Sequence, residues 1–176
     1  MTKYEEMVQA AEEGRKNWIR RHESSTRFIY QLLLRFRKAC EIPEEHLRIL
    51  PWNEKAETFG GKELPLTAAL SATRYDVEND NWQAGVVIYF NEPNYFSRLF
   101  ATFVLFVTEN DGKLTVRIGE PGKPLAVDTN VQTQVEEFIN SLSKEIEEAI
   151  KEPTRKRRVK VHGFEVPVAS EQEAVI

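Results

Sequence analysis

RLFATFVLFVTENDGKLTVRIG, residues 98–119, is a run of β-branched, aromatic and leucine residues cut once by Asn110-Asp111-Gly112. Asp-Gly suits a tight hairpin turn, so the stretch predicts two antiparallel strands, 98–108 and 113–119. Successive side chains of a strand point to opposite faces. In the second strand Leu114, Val116 and Ile118 alternate with Lys113, Thr115 and Arg117, giving one apolar face and one wet face, as in an edge strand. In the first, Phe100, Val104 and Phe106 point one way and Leu99, Phe103, Leu105 and Val107 the other. Both faces of that strand require cover.

Upstream, residues 82–91 repeat this double character, with Trp82, Val86, Ile88 and Phe90 opposite Val87 and Tyr89. A further run at 66–76 has a period of two, and Glu78-Asn79-Asp80-Asn81 and Asn91-Glu92-Pro93-Asn94 supply turn chemistry between the runs. The four runs predict an antiparallel meander. Residues 41–65, with Pro43, Pro51, Gly60, Gly61 and Pro65 and no sustained period, read as an irregular connection.

Helices flank the meander. Thr2 and Glu5 have capping-box spacing. From there Tyr4, Val8, Ala11, Trp18, Ile29, Leu32, Phe36 and Ala39 follow alternating steps of three and four, the seam of a long amphipathic helix closed by Pro43. Arg15, His22 and Ser25 fall on the same seam. That predicts a break near Glu23–Ser25, two helices end to end, or one helix that leaves the core there. After the loop Gly119–Pro124, Asp128 or Thr129 caps a second helix reaching about residue 151, its apolar face being Val131, Val135, Phe138, Ile139, Leu142, Ile146, Ala149 and Ile150. Pro153 stops it. The expected fold class is α+β: a long N-terminal helical segment, a four-stranded antiparallel β-meander and a C-terminal helix in one domain over residues 1–152. Residues 153–176 form a basic tail, either disordered or adding short strands at Val159–Val161 and Phe164–Val168.

Composition bounds the function. A chain of 176 residues, 41% hydrophobic and 30% charged, has the profile of a globular domain. The charged opening MTKYEEMVQAAEEGRK lacks the apolar core of a secretory signal, no apolar run approaches the length of a membrane span, and the single cysteine, Cys40, fits a reducing compartment. A cytoplasmic protein without a membrane partner is expected.

Catalytic motifs are missing from the sequence pattern. Pro121 and Pro124 replace amide donors that a phosphate-binding loop would need, and His22, His46 and His162 belong to no short metal-ligand motif. Cys40 ends an apolar seam, where a structural thiol is the ordinary outcome, and Asn91-Glu92-Pro93 reads as a turn. No catalytic residue, metal or cofactor is expected, and the reading leans away from an enzyme.

Charge is distributed unevenly. The net charge is −4, yet Gly14–Cys40 carries eight basic residues against Glu23 alone, and Arg155, Lys156, Arg157, Arg158 and Lys160 form a second cluster. One reading sets this charge against acidic protein surface, such as the glutamate-rich C-terminal helix. Another sets Arg20, Arg21, Arg27 and the tail cluster against phosphates, with Trp18, Phe28 or Tyr30 stacking on bases. The doubly apolar sheet points instead to protein contact: two helices on one face would leave Trp82, Val86, Ile88, Phe90, Phe100, Val104 and Phe106 as candidates for a partner surface. The expected function is therefore a non-enzymatic interaction or assembly module binding itself or a protein partner. Alternatives are a nucleic-acid-associated protein and a small-molecule binder or enzyme with a pocket between sheet and helices.

Overall fold

A computed structural model of the chain describes residues 2–91, 100–110, 112–119, 125–127, 132–151, 159–161 and 164–166. The fold is α+β. Its first element is a single helix, α1 (Lys3–Ala39), 37 residues long and started by the Thr2–Glu5 capping box. No break occurs at Glu23–Ser25; the helix runs through, and the polar residues on its seam mark where it leaves the core. It ends before Pro43 is reached. Glu41 takes a left-handed conformation (φ 52°), the Ile42 amide donates to the Arg37 carbonyl and the Glu41 amide to that of Lys38. This is a Schellman closure, which satisfies the last carbonyls of the helix.

The sheet is built on two central strands, β5 (Asn81–Tyr89) and β6 (Phe100–Asn110), paired antiparallel from Trp82↔Val107 to Tyr89↔Phe100. Short strands share the outer edge of β5: β1 (Leu47–Leu50) pairs with Gly85–Ile88 and β4 (Arg74–Asp76) with Asn81–Gln83. On the other side β6 pairs with β7 (Lys113–Ile118), as the Asp-Gly turn predicts. β7 is not an edge strand, because β8 (Leu125–Val127) pairs beyond it. From the tail, β9 (Val159–Val161) pairs with β10 (Phe164–Val166), whose Glu165 lies opposite Thr102 of β6.

Two local expectations give way to the structure. The run at 66–76 is largely helical: Leu66–Ala68 forms a 3₁₀ turn and Ala69–Ala72 a short helix, α2, leaving only β4 extended. Leu66 and Ala69 are the buried pair, three residues apart, and alanine favours helix over strand. The connection 41–65 in turn holds β1 and a small hairpin, β2 (Trp52–Asn53) with β3 (Thr58–Phe59). The Asn53 carboxamide oxygen accepts from the Lys55 and Ala56 amides and turns the hairpin.

Both faces of β5 are covered. On one lies the core, where α1 (Phe28, Ile29, Leu32, Leu33, Phe36) and α3 (Gln132–Lys151, through Val135, Phe138, Ile139, Leu142 and Ile146) pack on Trp82, Ala84, Val86 and Ile88 of β5 and Phe103, Leu105 and Val107 of β6. On the other face the β2–β3 hairpin folds back over β5. Phe59 sits directly on Gly85, Trp52 meets Phe59 edge to face at 5.1 Å, and the Arg74 guanidinium lies 3.8 Å from the Trp52 ring centre. Every residue of β5 is buried as a result.

Gly85 has no room for a side chain: an added Cβ would lie 2.7 Å from Phe59 Cβ. Gly85→Ala is expected to lower the free energy of unfolding by about 1–3 kcal/mol, the ordinary range for overpacking. Gly60→Ala, where nothing lies within 4 Å, is the matched control and should be close to neutral. Urea unfolding of both variants measures the difference.

Candidate interaction surface

Residues Lys3–Arg20 of α1 are all exposed, and before Trp18, which meets Trp82 of the sheet, the helix projects for about four turns, about 22 Å at 1.5 Å per residue. Along this arm Tyr4 is 75% exposed, Met7 70%, Trp18 48%, and Val8 and Ile19 39% each. Tyr4, Ala11 and Trp18 recur every seven residues, with Val8, Arg15 and His22 interleaved. The same heptad seam continues into Ser25, Ile29, Leu32 and Phe36, which are buried. One continuous stripe is thus core in the second half of the helix and faces water in the first.

The arm is also electrically divided. Glu5, Glu6, Glu12 and Glu13 outweigh Lys3 up to residue 13, and Arg15, Lys16, Arg20 and Arg21 follow without an acid as far as His22. Local contacts support the helix: Glu5 caps its start through the Thr2 amide at 2.6 Å, and Gln9 donates to Glu13 at 3.0 Å.

Its base is fixed to one end of the sheet. Trp82, 2% exposed, is contacted by the rings of His22 at 4.8 Å, Tyr75 at 4.6 Å and Trp18 at 6.0 Å, and Trp18 stacks flat on His22. Around this aromatic cluster lies a polar rim. Arg21 pairs with Asp80 at 2.7 Å, the Tyr75 hydroxyl donates to the same carboxylate at 2.5 Å, and the Ser24 hydroxyl donates to Glu109 at 3.1 Å with Arg20 3.7 Å away. The hydrogen bond from Tyr75, then that from Arg21, holds the Asp80 carboxyl below its usual range. The bond to Asp80 and then burial push the Tyr75 hydroxyl up.

The candidates read from the sequence separate in space. Trp82, Val86 and Ile88 face the helices and are core, whereas Phe100, Val104 and Phe106 lie on the opposite face of the sheet. The register explains it, since even-numbered residues of β5 pair with odd-numbered residues of β6. Phe106 is 9% exposed beneath the Arg117 guanidinium, Phe100 and Val104 are half-buried, and Phe90 is 37% exposed just past β5. Those seven residues do not make one surface.

The basic residues divide likewise. Arg20 and Arg21 are engaged by Glu109 and Asp80, Arg37 by Glu44 at 3.1 Å, and Arg27 is exposed on α1. Arg155, Lys156, Arg157 and Arg158 lie outside the described residues, and Lys160 belongs to β9 opposite Glu165. Phe28 is core and unavailable for stacking. Sequence reasoning missed Met7 and Ile19, which flank the seam, and gave the arm's stripe no role of its own, although a helix leaving the core near Glu23–Ser25 is one of its readings. The signals that mark the arm are the three polar residues on the seam and the reversal of charge halfway along it.

Chemistry-bearing groups are dispersed. Cys40 Sγ lies 3.0 Å from the Ser143 hydroxyl of α3, and His46 Nδ1 lies 3.0 Å from the Tyr89 carbonyl oxygen. Among the described residues no three His, Cys, Asp or Glu side chains cluster as a metal site, and no helix is long and apolar enough to cross a membrane. A cleft between α1 and α3, lined by Phe28, Gln31, Leu32, Arg35 and Val135, encloses about 20 Å³, room for a single water. Comparison of the chain with protein-family models, curated proteins and solved structures finds no match.

The pH dependence of the base follows from these shifts. Asp80, lowered in the fold, contributes stability above the unfolded carboxylate value of about 3.9, and that contribution is lost as pH falls through the folded value. Tyr75, raised in the fold, contributes below about pH 10 and loses its contribution as pH rises through its folded value. Asp80→Asn keeps the left-handed backbone at that position (φ 46°), which asparagine tolerates well. The melting-temperature gap between the native chain and this variant should be flat from about pH 5 to 9 and narrow below about pH 4. An equal gap at about pH 2 contradicts the assignment.

Proposed function

We propose that the chain is a non-enzymatic protein-interaction or assembly module whose contact surface is the projecting arm of α1. The observation that carries this reading is the apolar stripe of Tyr4, Met7, Val8, Trp18 and Ile19 held in water on an anchored helix. Contiguous exposed apolar surface of that kind marks interaction sites. Helices also draw most of their stability from packing, and the exposed turns that precede Trp18, including Gly14, gain little from the domain to which they are attached.

The contact surface proposed here differs from the one expected from the sequence, where the sheet face took that role. The β2–β3 hairpin covers β5 on that face, and the exposed apolar side chains among the described residues concentrate on the arm. Nucleic-acid binding is less well supported. The outer half of the arm is acidic and would repel phosphates, and Arg20 and Arg21 already have carboxylate neighbours. The described cleft between α1 and α3 has room for a single water and lends a ligand pocket no support.

A photo-crosslinking residue substituted for Met7, in cells that express the chain natively, tests the reading. A discrete adduct is expected, and Val8→Glu with Ile19→Glu in the same chain should abolish it. Because both side chains lie outside the core, that double variant should still fold and unfold in one cooperative transition, as for surface substitutions in general. Absence of any discrete adduct, or an adduct unaffected by the two glutamates, overturns the assignment.

A further inference from the structure

We infer that the occupant of the arm is a second copy of this chain, docked antiparallel about a two-fold axis at Glu13; the inference rests on reading the arm as the contact surface. The argument is charge complementarity joined to heptad register. Four glutamates precede residue 14 and four basic residues follow it up to Arg21. A parallel pair of arms would set glutamates on glutamates and Arg15 on Arg15, and such like-charge contacts destabilise helix pairing. An antiparallel pair sets each acidic half against the other copy's basic half. Arg15 and Lys16 of that basic half lie clear of the carboxylates that engage Arg20 and Arg21, and only Glu13, on the axis, lies level with its own equivalent.

The seam accepts the same arrangement. In antiparallel helix pairs the two seam positions alternate, so that one kind faces the other across the interface. With the axis at Glu13, Val8 lies opposite Trp18 of the second copy, Tyr4 opposite His22 of the second copy, and Ala11 opposite Arg15 of the second copy. The last pairing accounts for a residue otherwise out of place on an apolar seam. Arg15 meets the smallest side chain of the stripe and is brought beside Glu12 of the second copy, and symmetry repeats the contact. A charged residue at one seam position costs stability and selects register, a known use in helix pairs. All the exposed apolar residues from Tyr4 to Ile19 fall within the overlap, and His22, which packs on Trp82, closes each end.

The test uses the full chain with Cys40→Ser, so that only introduced thiols react. Light scattering should give twice the chain mass of 20.4 kDa with no excess absorbance at 260 nm, and Val8→Glu with Ile19→Glu should return the monomer at the same concentration. On mild oxidation, chains carrying Val8→Cys mixed with chains carrying Trp18→Cys should form a mixed disulfide dimer, while Val8→Cys alone should not. Self-crosslinking of Val8→Cys would mean parallel arms and overturn the inference, as would a dimer that survives both glutamates. A monomer at all concentrations whose Met7 adduct contains a different protein also overturns it but leaves the arm as a contact surface. A monomer with no adduct removes both. A peak rich in nucleic acid that strips to monomer in high salt overturns both in favour of the basic residues.

Discussion

Pairing β5 with β6 forces everything else in this fold. Both strands are apolar on both faces, and the ladder from Trp82↔Val107 to Tyr89↔Phe100 makes them the centre of the sheet. Burial of such side chains contributes about 25 cal/mol for each Å² removed from water, so neither face can stay open without forfeiting much of the core. Two helices cover one side. A hairpin from a connection only about 25 residues long covers β5 on the other, and it comes close enough only because residue 85 has no side chain.

The arm is a consequence of mismatched lengths. A helix of 37 residues is about 55 Å long, whereas the nine residues of β5 span about 30 Å. Once its Phe28–Phe36 face is seated on the sheet, the helix must overshoot. The overshoot keeps its direction because the base is held by two kinds of contact. Stacked rings of Trp18, His22, Tyr75 and Trp82 supply apolar contact, and the Arg21–Asp80–Tyr75 and Ser24–Glu109 contacts resist rotation about the helix axis.

Much of this architecture was legible in the residues. The capping box, the seam, the β6–β7 hairpin and the apolar face of α3 are local patterns, and local patterns survive folding. What escaped was set by neighbours. Leu47–Leu50 is too short to reveal a period, and it becomes a strand because β5 offers an edge. Leu66–Ala72 alternates in hydrophobicity, yet its alanines and the Leu66–Ala69 spacing suit a helix. How the candidate surface residues divide between the two faces escaped for a related reason. Which residues of two strands share a face depends on register, and a one-residue change of register exchanges every side chain between faces. For α1 the stripe was visible but not which half of it meets the sheet, because a seam reads identically whether a sheet or a second helix covers it.

Why a stripe of this kind should carry charge as well follows from the energies involved. Exposed ion pairs contribute about 0–1 kcal/mol each, so four glutamates and four basic residues do not hold two helices together unaided. Burying Val8, Trp18 and their neighbours supplies the affinity, at about 1.5–3 kcal/mol for each large side chain fully removed from water. That term is indifferent to direction: an apolar stripe packs on another in either orientation. Charge is not indifferent, because reversing one helix sets acidic half on acidic half and basic half on basic half. On this arm the weaker interaction therefore decides geometry and the stronger decides whether contact forms at all. The same division operates at the base, where stacked rings seat α1 and the pairings of Asp80 and Glu109 set its rotation.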